Sequence, residues 1–179
     1  MSRRLVLMRH AKSDWGGAWT GDHDRPLAAR GQRDAPLVGR WLAGEGLKPD
    51  KALCSTARRA RATCELALAA MEASPPVLLI DRLYTFGDPA PLLEAIRAHG
   101  GEAETLMLTG HNEAIHELAL LLAREADGKH LKRLKKKFPT AAVAAYDMAL
   151  RDWKQLSPTT PSRLTHHIRP KDLRRQPPG

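Results

Sequence analysis

The chain lacks the cysteines of a disulfide scaffold, the apolar continuity of a membrane segment and the glycine loops of a nucleotide site. Its two cysteines, Cys54 and Cys64, form no Cys-x-x-Cys pair. Neither a disulfide framework nor a zinc or redox motif is therefore expected. The first apolar run, Leu5-Val6-Leu7-Met8, stops after four residues, short of the about 7–15 of a secretory signal and the ~18–20 of a bilayer span. The expectation is a cytoplasmic protein without membrane contact. No Gly-x-x-x-x-Gly-Lys-Ser/Thr loop and no Gly-x-Gly-x-x-Gly fingerprint occurs, which excludes nucleotide binding by those routes. Aromatic residues make up only 4 % and are not interleaved with the basic segments, which argues against a single-strand stacking platform.

What is present suits one ordinary core: 179 residues, of which 42 % are hydrophobic. The net charge of +9 is concentrated in two places. Residues 129–137 carry six Lys/Arg and no acid, and 157–179 carry five Lys/Arg against one Asp, so the remainder is close to neutral. Such segments serve as solvated faces or meet acidic partners; nucleic-acid binding is not expected.

Strand and helix patterns alternate. The run 5–8 reads as a strand buried on both faces, followed by a long Gly-, Trp-, Asp- and His-rich loop over 14–28, of the kind that is usually functional. A helix is expected over 29–46, with Pro36 in its first turns or kinking it, and a strand over 51–54. A helix over 57–72 follows, with Ser55 or Thr56 as N-cap. Further strands are expected at 77–80, 105–109 and 141–148, helices at 92–99 and 113–126, and a sixth strand at 153–156. Residues 163–168 suit an edge strand. This order implies an α/β fold with a mostly parallel sheet covered on both faces, one domain over 1–173, and a disordered basic tail over 174–179.

Three strand ends carry chemistry: Arg9-His10, Arg58-Arg59 and Gly110-His111-Asn112. In a parallel sheet all three leave from one edge, where ligands bind in open α/β folds. Arginine forks match phosphate oxygens, the helix start after Ser55 adds backbone donors, and a neutral imidazole can attack phosphorus.

These residues resemble a known family. Arg9-His10-Ala11-Lys12-Ser13-Asp14-Trp15 is similar to the signature of the histidine phosphatase superfamily, whose usual form is Arg-His-Gly; Ala11 followed by Lys12 resembles the SixA-type phosphohistidine phosphatases. Asp24-Arg25-Pro26-Leu27 with Arg30-Gly31, Ser55-Thr56-Ala57-Arg58-Arg59-Ala60-Arg61-Ala62-Thr63, Thr109-Gly110-His111-Asn112 and Lys137-Phe138-Pro139-Thr140-Ala141-Ala142 resemble further motifs of that group in the same order. The resemblance spans roughly residues 4–173. It implies a three-layer α/β/α sandwich of the phosphoglycerate mutase-like kind. It also implies a catalytic set of Arg9, His10, Arg59 (rather than Arg58) and His111, with His10 as the nucleophile that is transiently phosphorylated. Ser13, Arg25 and Asn112 are the further substrate contacts, and no metal or other cofactor is implied.

Two departures bear on the substrate. Many superfamily members place a Glu as general acid after a Leu in the third-strand loop, whereas here Leu83 is followed by Tyr84. An alkoxide needs a proton donor; an imidazole, with a reference pKa of about 6.5, needs one far less. A phosphohistidine-containing protein is therefore the expected substrate. A small phosphate ester, hydrolysed by a phosphomonoesterase on the same fold, is the alternative, and a non-catalytic phosphoprotein-binding module is a third reading. The second departure is Glu113-Ala114 where Pro-Gly is commoner, which makes Glu113 the first candidate for a displaced acid. Cys54 lies near an arginine cluster similar to the Cys-x5-Arg loop of cysteine phosphatases, but the required position holds Ala60.

Overall fold

Leu5, Val6, Leu7 and Met8 are fully buried at the middle of the sheet that organises the molecule. The computed structural model describes residues 2–174. Strand β1 (Arg3–Arg9) pairs in parallel with β4 (Thr105–Gly110) on one side and antiparallel with β6 (Val143–Met148) on the other. Beyond β4 lie β2 (Lys51–Ser55) and β3 (Val77–Ile80), both parallel to it. Beyond β6 lie β7 (Ser162–Ile168), antiparallel to β6, and the two-residue β5 (Glu125–Ala126), parallel to β7. The seven-stranded order is β3-β2-β4-β1-β6-β7-β5.

Alternation along β1 splits the core in two, because successive strand side chains face opposite sides. Leu5 and Leu7 pack with Leu92 and Ile96 of α3 (Ala90–His99), Ile115 and Leu118 of α4 (Ala114–Leu122) and Leu134 of α5 (Gly128–Lys136). Val6 and Met8 pack with Val38 and Leu42 of α1 (Ala29–Gly44), Cys64 and Ala67 of α2 (Arg58–Ala70) and Leu173 of α6 (Pro170–Arg174). The result is the expected three-layer sandwich with a mostly parallel sheet. No helix among the described residues is long and apolar enough to cross a membrane.

Two close approaches fix α1. A Cβ on Gly31 would come within 2.2 Å of the Lys12 carbonyl, and one on Gly39 within 2.4 Å of the Ala67 carbonyl on α2. Glycine at these positions lets α1 press against the loop after β1 and against α2. The helix continues through Pro36, and Gln32, whose carbonyl loses its intrahelical donor there, is exposed.

Several expectations are corrected. Neither Ser55 nor Thr56 caps α2; its N-cap is Ala57, which has no side-chain acceptor, while the Ser55 hydroxyl, 2.8 Å from His111 Nε2, accepts from the Ala57 amide (3.3 Å) ahead of the helix. The helix expected over 113–126 ends at Leu122, and the chain turns into β5, which leaves β7 inside the sheet rather than at its edge. The basic run forms α5, capped by the Asp127 carboxylate on the His130 amide (2.8 Å). The strand expected over 153–156 is a 3-10 turn, Trp153–Gln155, capped by Asp152. Trp153 is buried in the core, where its indole N–H is satisfied by the Ala103 carbonyl (2.7 Å). Arg174 closes α6 and pairs with the buried Asp34; the remainder of the tail expected to be disordered, 175–179, lies outside the described residues.

Candidate active site

The register places the carboxyl ends of three parallel strands side by side. Arg9 of β1 is opposite Gly110 of β4, and Cys54 of β2 is opposite Thr109. Because β6 runs antiparallel to β1, the segment that enters it reaches the same edge, and the Ala141 amide donates to the His10 carbonyl (3.1 Å). Thr63 ties the edge together: its hydroxyl donates to the Arg59 carbonyl (2.7 Å) and accepts from the Ala11 amide (2.9 Å).

A cleft of ≈ 290 Å³ opens at this edge, lined by Arg9, His10, Ser13, Arg25, Arg59, His111 and Asn112, all seven of the residues singled out in the sequence. A larger groove (≈ 700 Å³) runs along α1 past Arg30, Arg33, Arg40 and Arg174. It has no histidine and no buried unpartnered donor among the described residues. On the residues lining the smaller cleft, three nitrogens, Arg9 Nε, Arg59 Nε and His111 Nδ1, and one acceptor, Asn112 Oδ1, are buried without a partner among the described residues. Buried donors are almost always satisfied, so the three nitrogens mark where an acceptor-rich group fits.

His10 Nδ1 lies 2.7 Å from the Ala11 carbonyl. A carbonyl only accepts, so Nδ1 carries the proton and Nε2, on the opposite edge of the ring, carries the lone pair. Burial, with Arg59, Arg9 and Arg25 nearby, pushes the His10 pKa down to about 3, which keeps the ring neutral near pH 7. The His111 ring centroid is 5.2 Å away, and its Nε2 is 2.8 Å from Ser55 Oγ. Burial, then His10 and Arg59, lowers its pKa as well.

Arg59 is buried at the first turn of α2 whereas Arg58 is exposed and pairs loosely with Asp24 (3.9 Å). Arg9 Nη1 and Asn112 Nδ2 both donate to the Phe138 carbonyl (3.1 and 2.9 Å), so the Lys137-Phe138-Pro139 segment anchors one wall. Arg25 donates to Ser13 Oγ and stacks its guanidinium 3.6 Å from the centre of Trp15.

Five further residues line the cleft: Lys12, Trp15 and Thr140, which fall in the motifs quoted from the sequence but were given no role there, and Asp22 and Phe86, which carried no signal. Asp22 is the sole carboxylate of the lining. It pairs with Arg59 Nη2 (3.0 Å) and Arg25 Nη2 (3.1 Å), accepts from the Tyr84 hydroxyl, and its backbone carbonyl accepts from Arg59 Nη1 (2.7 Å). Partial desolvation acts to raise the Asp22 pKa, but the hydrogen bonds from Tyr84, Arg25 and Arg59 outweigh it and hold the carboxyl below the usual range. Tyr84 and Phe86 stack around His111, at 5.4 and 5.1 Å between ring centres. Glu113 is exposed and is not among the lining residues. Among the described residues no group of three or more His, Cys, Asp or Glu side chains is placed to hold a metal ion.

Residues 5–86 match the family model of the histidine phosphatase superfamily, branch 1. An uncharacterised protein of Mycobacterium tuberculosis is 37% identical over 163 residues, covering 90% of this chain and 99% of the relative. Among solved structures, SixA from Nakamurella multipartitia superposes with a TM-score of 0.80 at 31% identity, covering 95% of this chain and 97% of the other. SixA from Agrobacterium tumefaciens does so with a TM-score of 0.76 at 28% identity, covering 93% and 97%. With the ordered motifs, the sheet order and a SixA relative matched along nearly its whole length, the chain belongs to the histidine phosphatase superfamily and is of the SixA type.

Proposed function

We propose that the protein is a phosphatase that takes the phosphoryl group from a phosphohistidine side chain of another protein onto His10 and passes it to water. The observation that carries this reading is the His10 tautomer. The Ala11 carbonyl holds the proton on Nδ1, so a neutral Nε2 lone pair is available at the foot of a cleft rich in arginine. In the first step Nε2 attacks phosphorus and the bond from phosphorus to the leaving nitrogen breaks. In the second, water attacks phosphorus, the electron pair of the bond to Nε2 returns to that nitrogen, and the water proton passes to a phosphate oxygen.

Arg9 and Arg59 take the clamping role, with unpartnered Nε donors for the equatorial oxygens. With Ser55 donating to its Nε2, His111 holds its proton on Nδ1, which has no partner among the described residues and serves as a further donor. Ser13, Arg25 and Asn112, also in the lining, take the further substrate contacts. The arginines supply the positive charge that a divalent cation supplies elsewhere, so the mechanism calls for no metal.

Leaving-group chemistry favours phosphohistidine. The lining offers no neutral carboxylic acid, since Asp22 is held ionised and Glu113 lies outside it. The SixA relatives from Nakamurella multipartitia and Agrobacterium tumefaciens carry the name phosphohistidine phosphatase, which agrees with this choice. The test compares a phosphohistidyl protein, p-nitrophenyl phosphate and a phosphoseryl protein, with chelator present. Rates should fall in that order, as the leaving group becomes more basic, and His10→Ala should abolish turnover while retaining the circular dichroism and melting profile of the native chain. Full activity in His10→Ala, or a preference for phosphoserine, refutes the reading.

A further inference from the structure

One group in the cleft has no part in the scheme above. A carboxylate beside a phosphate site repels the substrate it should attract, yet Asp22 sits in the lining with hydrogen bonds to two of its arginines and to Tyr84. Its depth is informative. His10, at the foot of the cleft, is 6% exposed, whereas the Asp22 side chain is 46% exposed. Displacement at phosphorus is in line, so the leaving group departs away from the buried His10, toward the exposed side of the cleft, and Asp22 is the exposed carboxylate of its lining. Trp15 and Phe86, 70% and 44% exposed, also line that side. The leaving group therefore emerges among two aromatic rings, the partly exposed Lys12 and the sole carboxylate of the lining.

Resting on the phosphohistidine reading, we propose that Asp22 is the specificity-determining residue of this cleft: its carboxylate accepts the N–H of the leaving imidazole and so selects phosphohistidine over phosphate esters. In the reactive form of phosphohistidine, phosphorus is bonded to one ring nitrogen and the other carries a proton. Transfer forms the bond from His10 Nε2 to phosphorus and breaks the bond from phosphorus to the leaving nitrogen, which keeps the electron pair. The proton stays on the far nitrogen throughout, and the product is a neutral imidazole. No proton donor is consumed, so a site without a neutral acid suffices. What the reaction does need is an acceptor that favours the protonated ring, and an ionised carboxylate supplies it. An alkyl or aryl ester has no such N–H, and its leaving oxygen gains negative charge next to Asp22. The same carboxylate thus favours one leaving group and opposes the other.

Asp22 Oδ1 accepts from Arg25 Nε and Nη2, and Oδ2 from Arg59 Nη2 and the Tyr84 hydroxyl, which fixes the carboxylate in position; the N–H of the leaving ring takes the place of the neutral Tyr84 donor on Oδ2. The hydrogen bonds from Tyr84, Arg25 and Arg59 keep Asp22 anionic. A carboxylate meant to serve as general acid would need the reverse environment, apolar and away from cations.

The experiment measures kcat/KM on a phosphohistidyl protein and on p-nitrophenyl phosphate for the native chain, Asp22→Asn and Asp22→Glu. A charge-assisted hydrogen bond of ordinary strength predicts that Asp22→Asn lowers the ratio of the two activities by about 10- to 100-fold. Asp22→Glu should recover part of that ratio. Activity on p-nitrophenyl phosphate doubles as the measure of a folded, functional cleft. Equal losses on both substrates would make Asp22 a mere support for Arg59 and overturn the proposal, as would an unchanged ratio. A native chain that cleaves the ester but not phosphohistidine would instead overturn the reading on which the proposal rests.

Discussion

Acidification should destabilise the fold through two histidines, and a bound oxyanion should restore what is lost. Burial lowers the His10 pKa to about 3, and His111 is lowered by the same cause, while an unfolded histidine titrates near 6.5. Between these limits the unfolded chain binds more protons than the folded one, so stability falls as pH falls. At pH 5.5 the penalty is about 1.4 kcal/mol for each histidine that stays neutral in the fold, or about 3 kcal/mol for the pair relative to pH 8. For a chain of this length that corresponds to roughly 6–12 °C in Tm. Sulfate is the suitable probe, being a tetrahedral dianion across the range. Seated between Arg9 and Arg59, it lets both rings protonate, so its stabilisation should be greater at pH 5.5 than at pH 8. The assay is thermal unfolding at both pH values, with and without millimolar sulfate at fixed ionic strength. The double variant His10→Asn, His111→Asn serves as control, since it retains the acid sensitivity of every other residue, including the buried His167. An equal fall in Tm for the native chain and the double variant would mean that the site histidines are not held neutral, and the lone-pair argument for His10 would fail with it.

The remaining expectations use separate parts of the structure. Arg59→Lys removes the planar fork of a buried guanidinium, and kcat should fall by about 10²–10³ in steady-state kinetics. Cys54→Ser should retain turnover within a few-fold, because the thiol is fully buried below the cleft and Cys54 is not among the residues lining it; loss of turnover would point to thiol chemistry. Gly39→Ala forces a methyl to within 2.4 Å of the Ala67 carbonyl. It should cost about 1–3 kcal/mol in denaturant unfolding by separating α1 from α2, while the cleft residues keep their chemistry.

Fold and site were legible to different depths for physical reasons. The central strands were readable because burial on both faces demands unbroken apolar runs such as 5–8, and their shortness and bounding polar residues separate them from the apolar run 118–122 of α4. The positions of Arg9, Arg59 and His111 followed from parallel topology, since strands running the same way must end at one edge. Helix α5 was hidden by its charge. Its apolar face is a single i, i+3 pair, Leu131 and Leu134, too short a period to stand out among six basic residues over 129–137, and the Asp127 cap is the other local signal. Trp153 misled in the opposite sense: its ring is buried in the core against Gly100 with its N–H on the Ala103 carbonyl, which a 3-10 turn supplies as well as a strand would.

Asp22 shows the limit most clearly. Asp14, Asp22 and Asp24 share one loop, and nothing local distinguishes them, because what selects Asp22 is the approach of Arg59 from α2 and Tyr84 from the segment after β3. The loop is held over the strand ends by the bridge between Ser13 and Leu27 and by the Ala28 amide on the Lys12 carbonyl (2.9 Å), the same carbonyl that requires glycine at position 31. The backbone arrangement that brings α1 close to Lys12 therefore also brings Asp22 over the arginines. A cleft of three guanidinium groups with no anion would be costly to assemble in the unliganded protein. One carboxylate at its mouth offsets part of that charge without occupying the foot, where Nε2 of His10 must stay accessible. The residue that makes the empty site tolerable to the fold stands where the leaving group departs, so stability of the free enzyme and choice of substrate are set by the same side chain.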